Sequence, residues 1–200
     1  AFQAEAATKG LTILDADEEL RAIAMADAIG KVASKYIAPS RGRAEIPLTW
    51  TDAETGLRCK CRIDWLTLDM MLVELKSTRC AEERAFGRQA WNLGYFHAAD
   101  FYSRGLAAAT GKKPEDVPFL FIAVENEAPY DVSVFEPCPE TRYAAHEEVT
   151  KLLFTLADCQ RTGKWPGRYE GVQVLKAPAY ILMSEDEEWQ VTTTDGETNA

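Results

Sequence analysis

Histidine is scarce in this 200-residue chain, with only His97 and His146. Cysteine occurs five times, as Cys59, Cys61, Cys80, Cys138 and Cys159, with no C-x-x-C pair. Two histidines and one C-x-C pair do not supply a structural zinc site, and the spacings group no four thiolates for an iron–sulfur cluster. The odd cysteine count argues for a reducing compartment rather than a disulfide framework. No apolar run approaches the roughly 20 residues that span a bilayer. The first ten residues include Glu5 and Lys9, which does not read as a secretory leader. The chain opens on Ala1 rather than Met, as a processed or truncated product would. No internal repeat is visible. The composition, 46% hydrophobic and 27% charged, excludes collagen-like, disordered and coiled-coil classes. A chain of this length can bury roughly 70% of its unfolded surface.

Basic residues are also lacking at one end. After Lys176 there are none, whereas Glu185, Asp186, Glu187, Glu188, Asp195 and Glu197 supply six negative charges. The formal net charge of −10 therefore falls to −4 without residues 177–200. Residues 40–104 hold ten basic and nine acidic residues, a net of +1. An acidic chain usually lacks a nucleic-acid footprint, but this acidity is concentrated at the C-terminal end. We expect one domain over residues 1–176 and an acidic, flexible tail over 177–200. Residues 1–10 read as a loose lead-in.

The hydrophobic pattern predicts a helix over about 17–37, opened by Asp15, Asp17 and Glu18 at its positive end. A strand over 45–51 and a turn at 52–56 lead into a strand over 57–65. In that second strand Leu57, Cys59, Cys61, Ile63 and Trp65 share one face, and Arg58, Lys60, Arg62 and Asp64 the other. After a turn near 67–69, residues 71–75 are apolar except for Glu74, as in a central strand covered on both sides. One long helix is expected over about 81–109. Strands at 116–125 and 130–135 follow, then a helix from Pro139 to about Cys159 with Val149, Leu152, Leu153 and Leu156 inward. This order predicts an α/β fold: a mixed central β-sheet flanked by α-helices.

One constellation is costly unless its members serve each other. Asp64 ends the second predicted strand, and Glu74-Leu75-Lys76 ends the third. Glu74 and Lys76 are two apart and share a face. Two carboxylates and an ammonium at the ends of adjacent apolar strands repay their desolvation only as a network or around a divalent cation. Hard oxygen donors suit Mg²⁺ or Mn²⁺. The same residues also read as an ion-pair network with no chemistry. The basic strand face before the motif, and Arg79, Arg84, Arg88, Gln89 and Asn92 after it, favour the functional reading. Arg84 and Arg88, four apart, suit phosphate contact or a solvated helix face. Arg41 and Arg43, in a Pro/Gly-bounded segment, suit a backbone contact or a plain surface loop.

These runs carry a resemblance. Residues 56–65, then Val73-Glu74-Leu75-Lys76-Ser77-Thr78, then Asn92-Leu93-Gly94-Tyr95 through Asp100-Phe101-Tyr102, resemble the PD-(D/E)XK nuclease superfamily. More narrowly they are similar to RecE-like (exonuclease VIII type) phage and prophage exonucleases, relatives of lambda exonuclease. Glu125, Pro129, Val132 to Val134 and Trp165-Pro166-Gly167 fit the same group. The resemblance spans residues 40–170 and implies a restriction-endonuclease-like core.

It further implies that Asp64 and Glu74 hold Mg²⁺, or Mn²⁺ in its place, with the Leu75 carbonyl as a third donor. Lys76 assists the attacking water. Glu45 is an additional acidic residue of the site, or a strand-edge carboxylate. Tyr102 is the tyrosine of a helical Q-x-x-x-Y element that places the DNA. Here the chain departs from the pattern: Ala98 stands four before Tyr102 where the family has Gln. His97 beside it is the substitute candidate. Arg62, Lys60, Arg84, Arg88, Arg41, Arg43 and His97 are the candidate DNA contacts. The implied activity is 5′→3′ digestion of double-stranded DNA ends, in recombination of the phage type. The implied partners are a single-strand annealing protein and further copies of the chain, in a trimeric or tetrameric ring. The implied setting is the cytoplasm of a bacterial or phage-infected cell, with no membrane. An endonuclease of the superfamily, or a non-catalytic DNA-binding or assembly module, are the alternatives.

Overall fold

A computed structural model describes residue 8, residues 13–167, residue 169 and residues 171–177. Helix α1 (Ala16–Ile37) starts where the acidic residues require it. Glu18 donates its N–H to Asp15 Oδ1 at 2.8 Å, and Asp15 returns its own to Glu18 Oε2 at 3.0 Å, a closed capping box. A 3₁₀ turn (Pro39–Arg41) leads into β1 (Gly42–Thr51). Strands β2 (Arg58–Thr67) and β3 (Leu72–Thr78) follow. The turn between β1 and β2 is held by Asp52, whose Oδ1 accepts from the N–H and hydroxyl of Thr55.

Two helices, α2 (Glu83–Asn92) and α3 (Tyr95–Thr110), occupy the stretch expected to form one. Gly94 divides them, in the left-handed region at φ 72°. There it ends α2 and starts α3, as glycine commonly does past a helix C-terminus. A 3₁₀ turn (Pro114–Asp116) takes up the start of the strand expected from 116, so β4 begins later (Phe119–Glu125). Strand β5 (Val132–Phe135) and helix α4 (Pro139–Thr162) complete the order.

The five strands lie in the order β1-β2-β3-β4-β5. Only the β3–β4 pair is parallel, so the sheet is mixed. On one face Ile63, Leu72, Phe119, Phe121 and Ala123 pack with Phe86 of α2 and Ala99 and Leu106 of α3. On the other, Val73, Leu120 and Ile122 pack with Ala33 of α1. Leu57 and Cys59 of the β1–β2 hairpin meet Val149 and Leu153 of α4 in a third cluster. Within α4, Leu152 and Leu156 are 63% and 38% exposed rather than inward. Val149 and Leu153 are buried as expected, and the stripe is continued by Ala145, one helical turn earlier.

Residues 1–162 form one compact unit and 163–200 another. The described residues of the second unit carry no helix or strand. The loose lead-in expected at 1–10 and the acidic tail expected at 177–200 fall almost wholly outside the described residues. No helix among the described residues is long and apolar enough to cross a membrane.

Candidate active site

The site begins where two strands separate. Strands β2 and β3 pair only at Trp65–Val73 and Leu66–Leu72, beside the turn that joins them. Beyond that, Asp64 takes the place of a ladder partner: Leu75 donates its N–H to Asp64 Oδ2 at 3.0 Å. Both motif segments lie inside their strands rather than at the ends, since β2 continues to Thr67 and β3 to Thr78.

The regular alternation of β2 stops at Asp64. Ile63 packs on the α2–α3 face, but Trp65 packs with Tyr36 and Ile37 on the α1 face and donates its indole N–H to the Tyr36 carbonyl at 3.1 Å. Trp65 therefore does not share the face of Leu57 and Ile63. The ladder is irregular at the same place. Glu45 has φ 56°, and the Glu45–Asp64 position drops out of an otherwise continuous pairing. A left-handed non-glycine residue costs about 1–2 kcal/mol. Such outliers are held in place by their surroundings and gather at functional sites.

Glu74 is 4% exposed. Lys76 donates from Nζ to Glu74 Oε1 at 2.6 Å, as their shared face requires. The Lys76 ammonium also sits 5.0 Å from the centre of the Tyr95 ring. Burial pushes the Glu74 carboxyl above its ordinary range; the Lys76 bond opposes this, and the charges of Asp64 and Glu45 add to it. Burial, then Glu74, raises the Tyr102 hydroxyl, with Asp64 and Arg62 also acting on it. Burial, then Glu74, pushes the Cys61 thiol up to about 11. Glu45 itself accepts from Arg62 Nε at 2.7 Å.

Glu45, Arg62, Asp64, Glu74, Lys76 and Tyr102 thus form one electrostatic neighbourhood, with Leu75 between Asp64 and Glu74. Tyr95 and Cys61 belong to it too, though the sequence reading gave them no role. Tyr95 was detectable in principle, seven residues before Tyr102 and so on the same helical stripe. The other candidates lie elsewhere. Arg84 and Arg88 stand exposed on α2, and Arg41 and Arg43 are exposed around the start of β1. Lys60 is exposed on β2, two residues before Arg62. His97 turns to α4, where its Nε2 meets Glu148 Oε2 at 2.6 Å, and its ring packs near Trp91. Gln89 meets Thr78 Oγ1 at 2.9 Å, and Glu125 accepts from the Ala81 N–H at 2.8 Å.

The donor set suits a hard cation. Asp64 and Glu74 each give one oxygen to a protein donor and keep a second without one among the described residues. No set of three Asp, Glu, His or Cys side chains among the described residues closes around a point.

A mixed sheet between helices, with Asp64 facing Glu74-x-Lys76 across a strand gap, defines the restriction-endonuclease-like fold class. Residues 10–178 match the family described as a PDDEXK-like domain of unknown function (DUF3799), and the chain belongs to that family. Among solved structures, a candidate exonuclease from Eubacterium rectale is similar in fold, with TM-score 0.58 and 17% identity over 87% of this chain and 67% of that one. No curated protein sequence matches significantly.

Proposed function

We propose that this protein is a metal-dependent deoxyribonuclease. The observation that carries the reading is the buried Glu74–Lys76 pair beside Asp64 at the β2–β3 gap. Asp64 and Glu74 would hold Mg²⁺, with Mn²⁺ as a substitute and the Leu75 carbonyl as a third donor. Bound there, the ion would lower the pKa of a water and offset the phosphate charge. Lys76 is placed to hold the attacking water and to offset charge building on the phosphate. Its own orientation comes from Glu74 on one side and the Tyr95 ring on the other. Tyr102, kept protonated by its raised titration, can donate to a phosphate oxygen. Arg62, Lys60, Arg84, Arg88, Arg41 and Arg43 are the DNA contacts of this reading, with His97 in the position next to the family glutamine.

The finer reading is a 5′→3′ exonuclease on double-stranded DNA ends. It would work with a single-strand annealing protein in phage-type recombination, as a ring of three or four copies in the bacterial or phage-infected cytoplasm. The test is digestion of end-labelled linear duplex with Mg²⁺ and with EDTA, beside a closed circular substrate. We expect Mg²⁺-dependent loss of the linear DNA only, with label released first from the 5′ end. Equal cutting of circles would make it an endonuclease. A second reading, a non-catalytic DNA-binding or assembly module, is favoured by Ala98; no digestion of either substrate with Mg²⁺ or Mn²⁺ would select it.

A further inference from the structure

The β1–β2 hairpin is built with two unlike faces. Its inner face is anchored: Leu57 and Cys59 are buried against α4, and Trp50 packs on Phe101 with ring centroids 4.8 Å apart. A side chain at Gly105 would bring its Cβ to 2.8 Å from the Trp50 ring, so α3 comes up close beneath the hairpin. The outer face carries Arg58, Lys60 and Arg62, all exposed, at two-residue spacing. The register sets Thr51, Thr49 and Pro47 across from them on β1. A hollow of about 490 Å³ is lined by Thr49, Thr51, Arg58 and Lys60 among others.

Arg58 and Lys60 have no acidic partner among the described residues, whereas Arg62 reaches Glu45. In a chain of formal charge −10, Arg58 and Lys60 set two exposed cations without an acidic partner side by side on one strand face. At about 3.4 Å per residue, the three cations sit roughly 7 Å apart and span about 14 Å. That step is comparable to the distance between successive phosphates along a nucleic-acid strand. The row also leads somewhere. Arg62, its last member, acts on Tyr102, and Asp64 follows two residues later.

We infer that the outer face of this hairpin is a track for the phosphodiester backbone of one DNA strand, with Arg58 and Lys60 each holding a phosphate and Arg62 handing the strand to the β2–β3 gap. This deepens the nuclease reading and rests on it for the destination of the strand, but binding to the row needs no cleavage. The track keeps the negative charges of the strand on the hairpin while the carboxylates at the gap act on one phosphate.

The test is fluorescence anisotropy of the full chain without divalent metal. The probes are a labelled oligothymidylate and a labelled duplex of equal length, each titrated across a salt series. The variant is Arg58→Gln with Lys60→Gln, which leaves Asp64, Glu74 and Lys76 in place. A control variant changes two exposed lysines elsewhere, Lys31→Gln and Lys112→Gln. We expect the row variant to bind oligothymidylate about tenfold more weakly and to flatten the slope of log Kd against log salt by about 1.4, two contacts at about 0.7 each. The control should leave that slope unchanged. A loss on both probes means the track holds one strand of a duplex; a loss on oligothymidylate alone means it holds a frayed or single strand. Each supports the inference. Equal slopes for parent and row variant, an equal loss in the control, or no binding by the parent at low salt would overturn it. Mg²⁺-dependent digestion is measured separately. Row-dependent binding without digestion would remove the nuclease reading and leave the track; digestion with row-independent binding would do the reverse.

Discussion

Two clusters of buried charge flank the same helix, and they are completed differently. On one stripe of α3, Asp100 and Arg104 form a closed network. Arg104, 9% exposed, donates from Nε to Asp100 Oδ2 at 2.7 Å and from Nη2 to the His146 carbonyl at 3.2 Å and to Thr150 Oγ1. The other oxygen of Asp100 meets His146 Nδ1 at 3.0 Å, and Asp52 lies 4.0 Å from Arg104. On the opposite stripe, the Tyr95 ring lies against the Lys76 ammonium and Tyr102 lies in the field of Glu74, whose only hydrogen-bond donor among the described residues is Lys76. The first cluster spends its charges on joining α3 to α4 and the hairpin. The second leaves carboxylate oxygens open, adds Asp64 and Glu45, and pushes the Glu74 carboxyl up. A buried ion pair is weak evidence of function; incomplete pairing among like charges is stronger evidence.

The largest effect that could break this contrast is at Lys76. Lys76→Ala should reduce Mg²⁺-dependent hydrolysis by about 10³-fold, roughly 4 kcal/mol of transition-state stabilisation. The melting temperature should fall less than in an Arg104 variant, because Glu74, buried and left without its donor, can take up the proton that burial already favours. Undiminished hydrolysis would put the Glu74–Lys76 pair in the same class as the Arg104 network.

Arg104→Ala should show the opposite profile. Removing the guanidinium strands Asp100, and breaking a buried pair of this kind costs about 3 kcal/mol. Denaturant unfolding should show the full loss. The kcat of whatever protein remains folded should be near that of the parent. A stability change under about 1 kcal/mol would mean that the α3–α4 junction draws its strength from apolar packing instead.

How much of this was legible beforehand follows from how local each signal is. The clean alternation of residues 57–63 foretold which side of the hairpin is buried. The capping box at Asp15 and Glu18 foretold the start of α1. The pairing of Glu74 with Lys76 followed from a two-residue period. Signals that need a partner strand were hidden: Trp65 changes sides next to Asp64, whose place in the ladder faces Glu45, nineteen residues before Asp64 and left-handed. Gly94 was visible, but the helical periodicity on both sides outweighed it. The Arg104 network could not be read at all, since Asp100 and His146 are 46 residues apart and meet only when α4 packs back on α3. Within the site, Asp64, Glu74 and Lys76 were readable as a motif; the spacing of Tyr95 to Tyr102 marked a shared helix stripe, but its role beside Lys76 needed the contact itself.

The smallest effect is also the one that separates the clusters by sign. The Glu74 carboxyl is raised by burial, so the folded protein holds its proton to a higher pH than the unfolded chain does. Between those two titrations the folded state binds more protons, and stability falls as pH rises through the window. The stabilising contribution is complete below the unfolded carboxylate value, about 4.3, and gone above the folded one. Glu74→Gln keeps an oxygen for the Lys76 ammonium but cannot ionise. It should melt close to the parent at acidic pH and above it at neutral pH, while losing hydrolysis. Paired melting curves at the two pH values give the comparison. An Asp100→Asn variant, made in the closed network, should lose stability at neutral pH. If Glu74→Gln behaved the same way, the carboxylate at position 74 would be a structural partner of Lys76, satisfied in its charged form, and the contrast between the two clusters would collapse.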